Sequence, residues 1–143
     1  MMHVKNSPFY KEAIQEINYP FGDFYLFENF VIGEIKADIV FTWADHGQKV
    51  VEELTDLYGE NGKGLVYITN RVNSYSVVPS DWINFYKLSY QLKGYAVVSY
   101  SSKGLLNSFL EKIFMRNTWH SFEKLENAIS WAKSLSEIKG TAA

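Results

Sequence analysis

The chain has 143 residues, 47% of them hydrophobic and 17% aromatic, and a net charge of −2. One domain fits this length, and the apolar content is enough for a core that folds alone. Balanced charge without a Lys/Arg run argues against a nucleic-acid footprint, which needs a clustered basic face, and the absence of cysteine excludes disulfides, a thiolate nucleophile and Cys-ligated zinc.

No segment approaches the roughly 18 apolar residues of a membrane span, and the amino terminus lacks the apolar core of a signal peptide. The expected location is the cytoplasm. The ten Tyr and ten Phe read first as core residues with paired or surface hydroxyls, and only second as a binding platform.

In chain order, Pro8 to Tyr19 fits either a short helix or an edge segment, and Phe21-Gly22-Asp23 reads as a turn. Phe24 to Glu28 and Phe30 to Lys36 are rich in aromatic and β-branched residues, which predicts an antiparallel hairpin whose turn at Asn29 takes in Glu28 and Phe30. Thr42, with Asp45 three residues on, is a capping-type helix start. From there Trp43, Val50, Val51, Leu54, Leu57 and Tyr58 form one apolar stripe that Gly59 stops.

Leu65 to Thr69 is a strand interior feeding a polar loop that runs toward a helix over Ser80 to Leu92, closed by Gly94. Tyr95 to Ser99 is the next strand. Ser101-Ser102 caps a third helix, with Leu105, Leu106, Phe109, Leu110 and Ile113 as its apolar stripe. Trp119 to Ser121 is a last short strand, Ser121 a cap, and Leu125, Ala128, Ile129, Ala132 and Leu135 mark the buried face of the final helix. The tail from Lys139 to Ala143 is expected to fray.

A hairpin followed by alternating helix and strand predicts an α/β domain over residues 1–143, with a mixed, mostly parallel sheet, about four helices, and residues 1–20 and 137–143 peripheral. Ligands of such sheets sit beyond the carboxyl ends of the parallel strands. Two loops belong there. The first offers Asn70, Arg71, Asn73, Ser74, Tyr75 and Ser76; the second offers Ser99, Ser101, Ser102 and Lys103 at a helix N-terminus that favours an anion.

Catalytic and metal constellations are not visible. His3, His46 and His120 lack the spacing that presents two ligands on one face. Ser121 beside His120 reads as a cap, and neither glycine-rich nucleotide fingerprint occurs. Glu52, Glu53 and Asp56 fall on the polar face of the first helix. Glu34 shares a strand face with Phe30 and Ile32, so either that face is partly solvated or Glu34 has a partner, with Lys or Arg pairing expected ahead of a functional role.

Three segments, FGDFYLFENFVIGEI, GLVYITNRVNSYSV and VVSYSSKGLLNSFLEKIF followed by SFEKLENAISWAK, resemble the SpoIIAA-like family of anti-sigma-factor antagonists and STAS domains from about Phe21 to Lys133. The closing Ser-Phe with Leu125, Glu126, Ala128, Ile129 and Trp131 is similar to the terminal helix of less-studied bacterial members. The resemblance implies a SpoIIAA-like fold and a non-enzymatic regulatory domain that binds another protein, in places under serine phosphorylation. Where antagonists carry an Asp-Ser-Ser-Gly turn, this chain has Asn73-Ser74-Tyr75-Ser76, which makes Ser74 and Ser76 the phosphorylation candidates. A small-molecule or lipid-binding module of STAS or Sec14 type is the alternative. No cofactor or metal is expected; a small anion or apolar ligand and a homodimer are the remaining partner candidates. A protein-binding module predicts an exposed apolar patch near Tyr75 and Val77. A ligand module predicts an aromatic-lined cavity of at least about 300 Å³.

Overall fold

A computed structural model describes residues 1–142, with side chains through Ser136. Its centre is a six-stranded sheet. Strands β1 (Gln15–Tyr19), β2 (Gly22–Leu26) and β3 (Phe30–Ile35) form an antiparallel meander, and β5 (Val66–Arg71), β7 (Gly94–Ser99) and β8 (Thr118–Phe122) continue it in parallel. Strands β4 (Val40–Phe41) and β6 (Ser76–Val77) make a separate two-stranded parallel ribbon. The mixed, mostly parallel sheet agrees with the sequence expectation.

Side chains alternate across β3 and β5, so each strand feeds two cores. On one face Ile32, Ile68, Ala96 and Val98 meet Leu125, Ala128, Ile129 and Ala132 of α4 (Leu125–Ala142). Ala128 and Ala132 are small enough to bring that helix close to the strands. Gly94 belongs to this packing rather than to a helix end: it opens β7, and a Cβ there would meet the Trp131 ring at 2.9 Å. On the other face Val31, Ile35 and Leu65 pack with Val50 of α1 (Gln48–Tyr58).

Local signals set the boundaries. Thr42 Oγ1 accepts the Asp45 N–H at 3.2 Å, but the turn it caps, Trp43–Gly47, is a wide π-type turn that precedes α1. Gly59 ends α1 at φ +70°, where a side chain would be strained. Leu57, placed on the buried stripe by spacing, is exposed.

Several expectations are corrected. The turn expected at Phe21-Gly22-Asp23 lies at Pro20-Phe21, between β1 and β2, with Gly22 and Asp23 already inside β2. Pro8 to Tyr19 holds both a helical turn, Tyr10–Glu12, and β1. α2 spans only Asp81–Lys87, because Ser89 takes a left-handed φ of +69° that breaks the helix. Ser121 lies within β8 and caps nothing, since α4 begins at Leu125. The tail is helical in its backbone to Ala142; Ala143 lies outside the described residues. Residues 1–20 supply β1 to the sheet and the fully buried Val4 to the core.

The largest departure concerns α3 (Ser102–Lys112). Its buried residues are Ser108 and Glu111, while Leu106, Phe109, Leu110 and Ile113 are exposed. The stripe exists, but it faces outward.

Candidate functional site

The parallel pairing of β5 with β7 aligns Arg71 with Ser99, so the loops after both strands leave the sheet side by side. Between them lies a groove of about 430 Å³ lined by Arg71, Asn73, Ser74, Tyr75, Ser76, Ser99, Ser101 and Lys103. Gly104, Asn107 and Leu110 of α3 complete that wall. Eight of the ten sequence-selected residues are thereby brought together. Ser102 is exposed at the start of α3 and does not line the groove.

Asn70 is the other exception, for a reason of strand alternation. It points through the opposite face of the sheet, where its Nδ2 donates to Glu34 Oε2 and to the Met2 carbonyl, both at 2.8 Å. Its Oδ1 accepts from the Tyr100 hydroxyl at 2.7 Å. The Lys or Arg partner expected for Glu34 is absent among the described residues: its carboxylate accepts the Val4 N–H at 2.8 Å and the Asn70 amide, and His3 Nδ1 lies 3.3 Å away. Backbone and amide donors satisfy this buried carboxylate without a strong cation.

The first loop is tied down along its length. Asn73 Nδ2 donates to the Ile35 carbonyl at 3.0 Å, and Ser74 O accepts the Asp38 N–H at 2.9 Å. The Tyr75 hydroxyl shares a 2.8 Å hydrogen bond with Thr69 Oγ1, and Arg71 lies over the Tyr75 ring. Tyr75 therefore packs inward. Ser74 and Ser76 remain exposed at the groove rim. In the second loop, Ser101 Oγ accepts the Gly104 N–H at 3.0 Å and Ser99 Oγ donates to the Ser101 carbonyl at 3.1 Å. A Cβ at position 104 would come within 2.7 Å of Ser99 Oγ, so a larger residue there would displace the Ser99 hydroxyl.

Under the groove is a buried polar cluster. Arg71 forms an ion pair with Glu111 through Nη2, which also donates to the Tyr95 hydroxyl at 3.2 Å. Glu111 Oε2 accepts from Tyr95 OH at 2.8 Å and from Trp82 Nε1 at 3.0 Å. Burial, the largest influence on Arg71, works against its charge, but Tyr75, Tyr95 and Glu111 outweigh it and hold the group firmly protonated. The Tyr95 hydroxyl is pushed well above the ordinary tyrosine range, first by burial and then by the Glu111 charge. Because Arg71 is neutralised from beneath, the groove presents mainly hydroxyls, amides and the exposed Lys103. That chemistry suits a polar surface better than a multiply charged anion.

Sequence reasoning missed Glu111, Trp82, Asn107 and Leu110. A signal for Glu111 was present in the helix: it sits opposite the apolar stripe, where a carboxylate that faces the domain must find donors.

A second hollow lies deeper, between the sheet and α1 and α2. It is an apolar cavity of about 120 Å³ lined among others by Phe24, Val31, Trp43, Val50, Tyr67 and Phe85. This is below the roughly 300 Å³ at which pockets for drug-sized ligands begin. Val77 and Tyr75 are half-buried, so the exposed apolar patch expected there lies instead on α3.

The histidines are dispersed. His46 Nδ1 accepts the Thr42 N–H at 3.0 Å, and His120 stacks on Phe122 with centroids 4.4 Å apart. Among the described residues no group of three or more His, Cys, Asp or Glu is placed to hold a metal ion, and no helix is long and apolar enough to cross a membrane.

No protein-family model matches the chain, and no curated protein matches it. In structure it is similar to an uncharacterized protein of the DUF3478 family from Shewanella loihica PV-4, described as having a SpoIIAA-like fold. The TM-score is 0.50 at 13% sequence identity, and the match covers 84% of this chain and 92% of the other. The six-stranded mixed sheet with its four helices is thus a SpoIIAA-like fold.

Proposed function

We propose that the domain is a non-enzymatic regulatory module that binds a partner protein at the carboxyl ends of β5 and β7. The observation that carries this reading is the groove itself, in which the Arg71–Ser76 and Ser99–Lys103 segments converge beside Asn107 and Leu110 of α3. Hydroxyls and amides next to an apolar side chain, with one exposed cation, resemble the polar, solvent-accessible rim of a non-obligate protein interface. Ser74 and Ser76 stand exposed on that rim, where an added phosphate would change the charge a partner meets.

The lipid alternative finds little support in a 120 Å³ apolar cavity. The test is affinity capture from the source cell with the wild-type chain, with the exposed-site variant Ser76→Arg, Lys103→Glu, and with Ser74→Asp, Ser76→Asp. A protein retained by wild type and bound about tenfold or more weakly by the first variant supports the reading. Equal retention by all three chains overturns it. Groove amide shifts with phosphate-bearing metabolites, without any protein captured, would assign the site to a small polar ligand.

A further inference from the structure

We propose that α3 is a peripheral docking surface for an anionic lipid bilayer, a role beyond the groove-binding reading. The starting point is its inverted packing. Ser108 and Glu111 face the domain, whereas Leu106 is 68% exposed, Phe109 44%, Leu110 53% and Ile113 75%. Their spacing of three, four and seven residues places them on one ridge of the helix. Ile83 and Leu88, in and just after the neighbouring α2, are exposed as well.

Charge selects the occupant. Residues 80–122 carry five cations and two carboxylates, an excess of three positive charges in a chain of net charge −2. Both carboxylates are engaged, Asp81 by the Trp43 N–H and the Asn84 amide, and Glu111 by Arg71, Trp82 and Tyr95. Lys103, Lys112 and Arg116 flank the ridge at its two ends. Lys112 lies over the Trp119 ring and Arg116 over the Tyr86 ring, and none of the three enters an ion pair among the described residues.

A second copy placed on this ridge about a two-fold axis would set these cations against their own equivalents. The ridge is convex, formed by protruding side chains, and a deformable anionic surface receives such a shape without a complementary groove. Eleven residues rise only about 16 Å, so the helix lies in the interface plane. The four apolar tips enter the acyl boundary, and the long stems of Lys and Arg reach the lipid phosphates.

The test is co-sedimentation of the full chain with vesicles of pure phosphatidylcholine and of three parts phosphatidylcholine to one part phosphatidylglycerol, at low and high salt. Binding is expected to the anionic vesicles only, and to weaken about tenfold or more in high salt. Leu106→Ser, Ile113→Ser and, separately, Lys112→Glu, Arg116→Glu are each expected to weaken it by a similar factor while the melting temperature stays unchanged. The groove variant Ser76→Arg should leave vesicle binding intact, which separates failure of this proposal from failure of the functional reading. No binding to anionic vesicles, or binding that ignores these substitutions, overturns the proposal. It is equally overturned if sedimentation velocity shows a dimer that Leu106→Ser, Ile113→Ser abolishes, or if an acidic amphipathic peptide is retained where vesicles are not.

Discussion

Glu111 holds a helix to its domain through charge and hydrogen bonds where an apolar contact would be ordinary. Three donors converge on it: Arg71, the Tyr95 hydroxyl and the Trp82 indole N–H. Removing one partner of a buried ion pair leaves the other charge uncompensated, which costs about 3–5 kcal/mol. Glu111→Leu alone is therefore expected to lose about that much stability in urea unfolding. Arg71→Met, Glu111→Leu together are expected to lose clearly less than the two single losses added, since no charge is then stranded and what remains is the unpairing of the Tyr95 and Trp82 donors. A double variant as unstable as the sum of the two singles would show that Arg71 and Glu111 are not energetically coupled. Arg71 was legible in the sequence as a polar residue at a strand end. Its partner was not, because forty residues separate Arg71 from Glu111 in the chain and only the folded geometry joins them.

α3 and α4 show what periodicity can and cannot say about an element. Both carry apolar residues at helical spacing, and on sequence alone both stripes read as buried. The stripe of α4 does face the sheet, where Ile68, Ala96 and Val98 offer an apolar surface to Ile129 and Ala132. Beneath α3 the sheet presents Arg71 and Tyr95 instead, so the side carrying Glu111 is turned inward and the stripe outward. A helix pattern establishes that two faces differ; the chemistry of the opposing surface decides which is buried. Polar replacement of Leu106 or Ile113 by Gln is accordingly expected to change stability by no more than about 0.5 kcal/mol. Ile129→Ala, at a site only 1% exposed, is expected to cost about 2–5 kcal/mol. Thermal unfolding of the three single variants makes the comparison, and a large loss from Leu106→Gln would place the stripe in the core after all.

At the scale of the whole molecule, the mostly parallel sheet and the meeting of the two loops follow from alternating helix and strand together with the strand-end rule, and both could be read from the sequence. What could not be read is how the amino-terminal residues close the opposite face. Met2, Val4, Glu34, Asn70 and Tyr100 form one chain of hydrogen bonds across four distant parts of the sequence, and no local pattern marks residues 1–7 as partners of β3 and β5. Val4 is fully buried, and its N–H is one of the donors that satisfy Glu34. Deleting residues 1–7 removes an apolar side chain worth about 1.5–3 kcal/mol of burial. It also takes the Val4 donor from a buried carboxylate, at a further cost of about 1–3 kcal/mol. The truncated chain is expected to lose about 2.5–6 kcal/mol in urea unfolding. Glu34→Gln in the full chain should lose less, because Val4 stays in the core. Equal stability of truncated and full chains would mean that the amino-terminal segment lies against the sheet without contributing to its stability.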